Sequence, residues 1–96
     1  MHRVAVPQPP PTPGSGDVMM ECIEDTEPGP VRDALIARRE FGLQKYGTLL
    51  QRDNGRDHET DCAQEFADAV VYARAANRPD IEKLARKGLA MALGAQ

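Results

Sequence analysis

Cysteine is scarce in this chain: Cys22 and Cys62 stand alone, one in a segment that reads as coil and one in a helical pattern. That excludes a disulfide framework and offers no zinc-ligand spacing, so both read as free thiols in a reducing cytoplasm. An excess of basic charge is also missing. Twelve Lys and Arg against 15 Asp and Glu give a net charge of −3 and a pI near 5.3, which argues against a nucleic-acid binder with a basic face. No apolar run is long enough to cross a bilayer, and the N-terminus lacks the apolar stretch of a secretory signal. The expectation is a soluble cytoplasmic protein with no membrane partner.

What is present falls into two parts. Residues 1–28 include "PQPPPTPGSG" and most of "ECIEDTEPGP", whose prolines and glycines suit polyproline II and coil. They read as a disordered arm, either a solubilising tail or a ligand for a proline-recognition groove. Within the arm, "VMMECI" has enough apolar character to pack as a local strand or to dock on a partner subunit. Residues 29–96 are left to form one helical domain, small enough that oligomerisation is the natural route to an adequate core.

Three helices are expected there. "PVRDALIARREFGLQKYG" opens on Pro30 and closes on Gly47, a proline start and a glycine C-cap. Val31, Leu35, Ile36 and Leu43 make its apolar stripe, with Phe41 off that stripe. "DHETDCAQEFADAVVYARAAN" takes Asp57 as N-cap and sets Ala63, Phe66, Ala67, Val70, Val71 and Ala73 on a broad apolar face. A third helix runs from Pro79, with Ile81, Leu84, Leu89 and Met91 or Leu93 as candidate core positions. The architecture expected is all-α: a helical hairpin plus a C-terminal helix, forming a four-helix-bundle-like core through oligomerisation as a homodimer or homotetramer.

Opposite the apolar face of the second helix, Asp61, Glu65 and Asp68 fall within roughly 60° of arc, with Tyr72 one turn further along. Carboxylates a turn apart suit a hard divalent cation that keeps several waters and takes phosphate oxygens as further ligands. They are also ordinary on a solvated face. No lysine is interleaved to relieve their repulsion. Lys45, Arg52 and Arg56 lie in the preceding polar stretch "KYGTLLQRDNGRD", where they could hold phosphates gripped by the same metal. His58, beside the acidic helix, suits a surface position.

The run "FGLQKYGTLLQ…NGRD…D…EFADAVVY" resembles the MazG-like all-α nucleotide pyrophosphohydrolases, and especially the small KYG-containing versions associated with bacteriophage and bacterial genomes. The likeness spans Val31 to about Ala76. It implies that Glu65 and Asp68 are the E-x-x-D metal ligands for Mg2+, with Mn2+ as a substitute. Glu40 matches the second glutamate of the family's E-x-x-E pair, but Ala37 stands where the first would be. Asp61 is then the residue able to replace it. The implied reaction cleaves a nucleoside triphosphate between the α and β phosphates. Glu40 and Asp61 would complete the metal shell or orient the attacking water, with Glu40 and Glu65 as the catalytic pair. Lys45 and Arg56 would contact phosphates and Asn54 the base or sugar. Their structural readings are a helix C-terminal cation for Lys45, a turn for Asn54-Gly55 and a carboxylate partner for Arg56. Tyr46 could stack on a base or brace the helix end. The likeness also allows a catalytically reduced nucleotide-binding protein or a structural helical oligomer.

Overall fold

The computed structural model describes residues 2–94. The protein is all-α: helices α1 (Val18–Glu24), α2 (Pro30–Tyr46), α3 (His58–Ala75) and α4 (Pro79–Ala92) follow a 3-10 turn at Arg3–Ala5. Strands are absent among the described residues, where one isolated antiparallel bridge joins Ser15 and Arg52. Two compact units divide the chain. One is Pro11–Gly55; the other combines Met1–Pro10 with Arg56–Gln96.

In the Pro11–Gly55 unit, α1 packs on α2. Asp17 caps α1 by accepting from the Met20 N–H at 3.0 Å, and its second oxygen accepts from Arg39 of α2 at 2.7 Å. One carboxylate therefore starts one helix and ties it to the next. Arg32 of α2 donates to the Ile23 carbonyl at 3.2 Å, beside the buried Ile23 side chain. Residues 18–24, expected as coil or a local strand, are helical because Asp17 supplies the cap that "VMMECIE" needs to start.

The segment before α1 is held as well. Thr12 N–H donates to the Asn54 carbonyl at 2.7 Å, Ser15 and Arg52 exchange two backbone bonds of 2.9 Å, and Val18 N–H donates to the Leu50 carbonyl at 3.1 Å. Arg52 then grips Glu21 with both nitrogens, at 2.5 and 2.9 Å. The polar character of residues 50–54 is used here, on the N-terminal segment.

In the other unit, α3 and α4 form an antiparallel hairpin. Asp57 caps α3 through Thr60, accepting from its N–H at 3.2 Å and from its hydroxyl at 2.7 Å. Asn77 turns the chain with a left-handed φ of 56°, a conformation asparagine tolerates better than most residues. Pro79 then opens α4. Ala63, Ala73 and Ala85 are the buried apolar residues of this unit among those described. Small side chains there allow close helix approach, and Gly88 sits directly against the Phe66 ring.

Several positions expected in the core are exposed: Val31 is 67% exposed, Leu84 69% and Met91 71%, with Ile36, Ile81 and Val71 also open. Each helix pair covers only one side of each helix, so apolar residues at the edge of a stripe face outward.

Glu82 fastens the hairpin. It accepts from Arg74 of α3 at 2.9 and 2.8 Å and from Arg86 of α4 at 3.0 Å. Arg74 first, then Arg86, hold its carboxyl at about 2 against an ordinary 4.5. Since the folded value is depressed, the stabilisation is complete above pH 4.5 and is lost as pH falls towards 2. Glu82→Gln is expected to lower stability at neutral pH and to shrink the loss across that window, as read by denaturant unfolding at a series of pH values.

Candidate functional site

The carboxylate line of α3 is present, but its members differ. Glu65 and Asp68 are exposed, one helical turn apart on the side of α3 opposite Ala63 and Ala73. Among the described residues neither makes an ion pair. Tyr72 continues the line and is exposed.

Asp61, one turn earlier, is occupied. Arg56 donates to both of its oxygens, at 2.7 and 3.1 Å, and Gln8 donates to it at 2.9 Å. The imidazole of His58, itself exposed, lies 3.7 Å away. The Arg56 guanidinium is the chief reason the Asp61 carboxyl titrates below its ordinary value, with Gln8 adding to it. Arg56 also donates to the Pro9 carbonyl at 2.9 Å. Of its two sequence readings, the carboxylate partner is the one seen.

Gln8 carried no signal in the sequence beyond being a lone amide among prolines. Its side chain donates to the Asp57 carbonyl at 2.7 Å and accepts from the Asp57 N–H at 2.9 Å. Gln64 of α3 adds bonds to the Val4 and Val6 carbonyls, at 3.1 and 3.3 Å. Arg3 donates to the Ala92 carbonyl at 2.9 Å. Residues 3–9 are thus seated along their own unit, where sequence composition led to a disordered arm.

The remaining candidates lie in the Pro11–Gly55 unit. Asn54 is 3% exposed, and its carbonyl receives the Thr12 N–H. It is an interior residue of a turn rather than a surface amide. Lys45 lies over the rings of Phe41 and Tyr46, with its ammonium 5.7 and 5.2 Å from their centroids, and Arg38 lies 5.2 Å from the Phe41 centroid. These cation–ring contacts occupy the C-terminal part of α2. Tyr46 is exposed and so does not brace a packed helix end. Glu40 is exposed on α2, with Ala37 one turn before it.

Among the described residues, no three His, Cys, Asp or Glu side chains gather so as to hold a metal ion. Glu65 and Asp68 fit the smaller requirement of a cation that retains waters and takes its other oxygens from a phosphate ligand. A cavity of about 360 Å³ lies elsewhere in their unit, lined by Arg3, Glu59, Cys62 and Met91–Gly94, and none of the candidate residues lines it. Compared with protein-family models, curated proteins and solved structures, the chain matches none.

Proposed function

We propose that this protein is a metal-dependent nucleoside triphosphate pyrophosphohydrolase of the MazG-like kind, acting as a homo-oligomer and releasing a nucleoside monophosphate and pyrophosphate. The observation that carries the reading is the Glu65 and Asp68 pair: exposed, one turn apart, and without a basic partner among the described residues. An uncompensated acidic pair on a helix is mildly destabilising, and a cation reverses that. Glu65 and Asp68 would hold Mg2+ or Mn2+; Glu40 is a completing ligand, or the orienter of the attacking water, only in what the family likeness implies. When bound, such an ion offsets phosphate charge and acidifies a water.

The chain's own groups divide the remaining work. On the family likeness Glu65 is catalytic as well as a ligand, and would take up the proton that the attacking water loses. Asp61 holds Arg56 in a fork with two hydrogen bonds, a geometry equally suited to a phosphate. An arriving phosphate would compete with Asp61 for Arg56. Lys45 at the end of α2 is the phosphate contact that the family likeness implies, and its ring partners Phe41 and Tyr46 are exposed. Asn54, the base or sugar contact that the family likeness implies, is 3% exposed, so a ligand would reach it only with a change in that turn.

Pyrophosphate release from a panel of ribo- and deoxyribonucleoside triphosphates, with Mg2+ or Mn2+, tests the reading. Glu65→Gln and Asp68→Asn are each expected to reduce release by about a hundredfold or more, the scale of losing one electrostatic group at a reacting phosphate. Both side chains are exposed, so helicity by circular dichroism should be unchanged. Absence of release from every triphosphate by the folded protein would overturn the catalytic reading.

A second reading, a nucleotide-binding protein without turnover, is favoured by Ala37 and by the engagement of Asp61 with Arg56. It predicts Mg2+-dependent binding of a triphosphate and no pyrophosphate.

A further inference from the structure

Residues 3–9 are attached to α3 and α4 by side-chain hydrogen bonds rather than by a backbone ladder. Gln64 donates to the Val4 and Val6 carbonyls, Arg3 donates to the Ala92 carbonyl, and Gln8 exchanges two bonds with the Asp57 backbone. Prolines at 7, 9 and 10 remove backbone donors that a ladder would need. None of residues 3–9 is fully buried, and most of the bonds that seat them are open to water. A segment with few buried apolar contacts and exposed hydrogen bonds belongs to the part of a protein that opens at low cost.

The same segment also holds the two groups whose engagement closes the candidate site. Gln8 donates to Asp61 at 2.9 Å, and the Pro9 carbonyl accepts from Arg56 at 2.9 Å. Arg56 in turn donates to both Asp61 oxygens, at 2.7 and 3.1 Å. Three hydrogen bonds therefore converge on the carboxylate that the family likeness sets in place of Ala37. All of these groups belong to one unit. We propose that residues 3–9 are an autoinhibitory strap, whose seating on α3 locks Asp61 to Arg56 and whose release makes Asp61 available as a metal ligand beside Glu65 and Arg56 available to a phosphate. This rests on the proposed function and adds to it the element that holds the site closed. Once the strap leaves, Asp61 loses the Gln8 donor and Arg56 loses the Pro9 acceptor, so the remaining fork has only itself to set against an arriving metal and phosphate. The coupling runs both ways: a ligand that favours the open form draws the strap off, and loosening the strap tightens that ligand.

Two variants of the full chain test the strap. Gln64→Glu keeps the size of the side chain but cannot donate to the Val4 and Val6 carbonyls, and Gln8→Ala cuts the bond to Asp61. Seating is read by exchange of the Val4, Ala5 and Val6 amides, each hydrogen-bonded in the 3-10 turn. The site is read by equilibrium binding of the panel of nucleoside triphosphates with Mn2+, and by pyrophosphate release at subsaturating triphosphate. Both variants are expected to exchange faster at those amides, with helicity retained, and to bind triphosphate about fivefold more tightly, the scale of one hydrogen bond. Release should rise by a similar factor, and triphosphate with Mn2+ should speed the same exchange in the unaltered protein. Faster exchange with binding and release unchanged, or weakened, overturns the strap and leaves the pyrophosphohydrolase reading standing. Unchanged exchange in both variants also overturns it, because these side chains would not be what seats the segment. If none of the three proteins binds or cleaves any triphosphate, the proposed function fails and the strap fails with it.

Discussion

Gly14→Ala is expected to destabilise the protein by about 3 kcal/mol, the upper part of the range for forcing an extra methyl into filled space. A Cβ at residue 14 would collide with the Arg52 carbonyl oxygen and lie 2.9 Å from the Arg52 carbonyl carbon and 3.1 Å from the Asn54 nitrogen. All three are main-chain atoms, so no side chain can swing aside. Nor can residues 52–54 retreat at little cost. Arg52 is fixed by two backbone bonds to Ser15 and by its fork on Glu21, and Asn54 is buried. The methyl must therefore separate residues 12–18 from residues 50–54, with loss of their backbone bonds. Denaturant unfolding should show the loss in midpoint, and amide exchange should locate it at Ser15, Arg52 and Thr12. Gly42→Ala is the control of opposite sign. It lies inside α2 with nothing within 4 Å of the added atom and should stabilise by about 1 kcal/mol through helix propensity. Equal effects at the two positions would show that the contact between residues 14 and 52 does not hold the segment.

That contact marks a limit of what the sequence discloses. The bounds of α2, α3 and α4 were legible because their signals are local: Pro30 and Gly47, Asp57, and Pro79 each act within a turn of the helix they start or stop. Pairing of residues 12–18 with 50–54 has no local signature, since composition marks only that proline-rich chain builds no helix. α1 was hidden for a related reason. Its seven residues are too few for periodicity to register, and such a helix persists through tertiary contacts such as Asp17 with Arg39.

The candidate site divides in the same way. Helical spacing alone places Asp61, Glu65 and Asp68 on one line of α3, because an α-helix has a fixed angle per residue. Which of them is engaged depends on Gln8 and on the path of the chain at Arg56, neither set by α3 itself. Asn54 shows the point most sharply. Asn-Gly correctly reads as a turn, but the burial of Asn54 goes with chain far off in sequence: Thr12, 42 positions away, donates its N–H to the Asn54 main-chain carbonyl. Exposure of Val31 and Leu84 follows likewise. Periodicity identifies an apolar stripe without stating whether one chain has enough surface to cover it.

Gly88→Ala is expected to cost about 2 kcal/mol even though alanine favours a helix over glycine by roughly 1 kcal/mol. The added methyl would fall on the edge of the Phe66 ring, overlapping Cε1 and lying 2.6 Å from Cζ and 2.7 Å from Cδ1. A ring is stiff, and Phe66 stands in the seam where α3 meets α4, so relief requires either a rotamer change or separation of the helices. Phe66→Leu removes that edge while keeping an apolar side chain. It should itself destabilise, because the ring's packing is lost. In its presence, however, Gly88→Ala should turn neutral or stabilising as helix propensity is left unopposed. The two substitutions should therefore couple by about 2 to 3 kcal/mol in a double-mutant cycle, measured by denaturant unfolding. Additive effects would mean that the ring yields freely, and that glycine is not what sets the approach of α4 to α3.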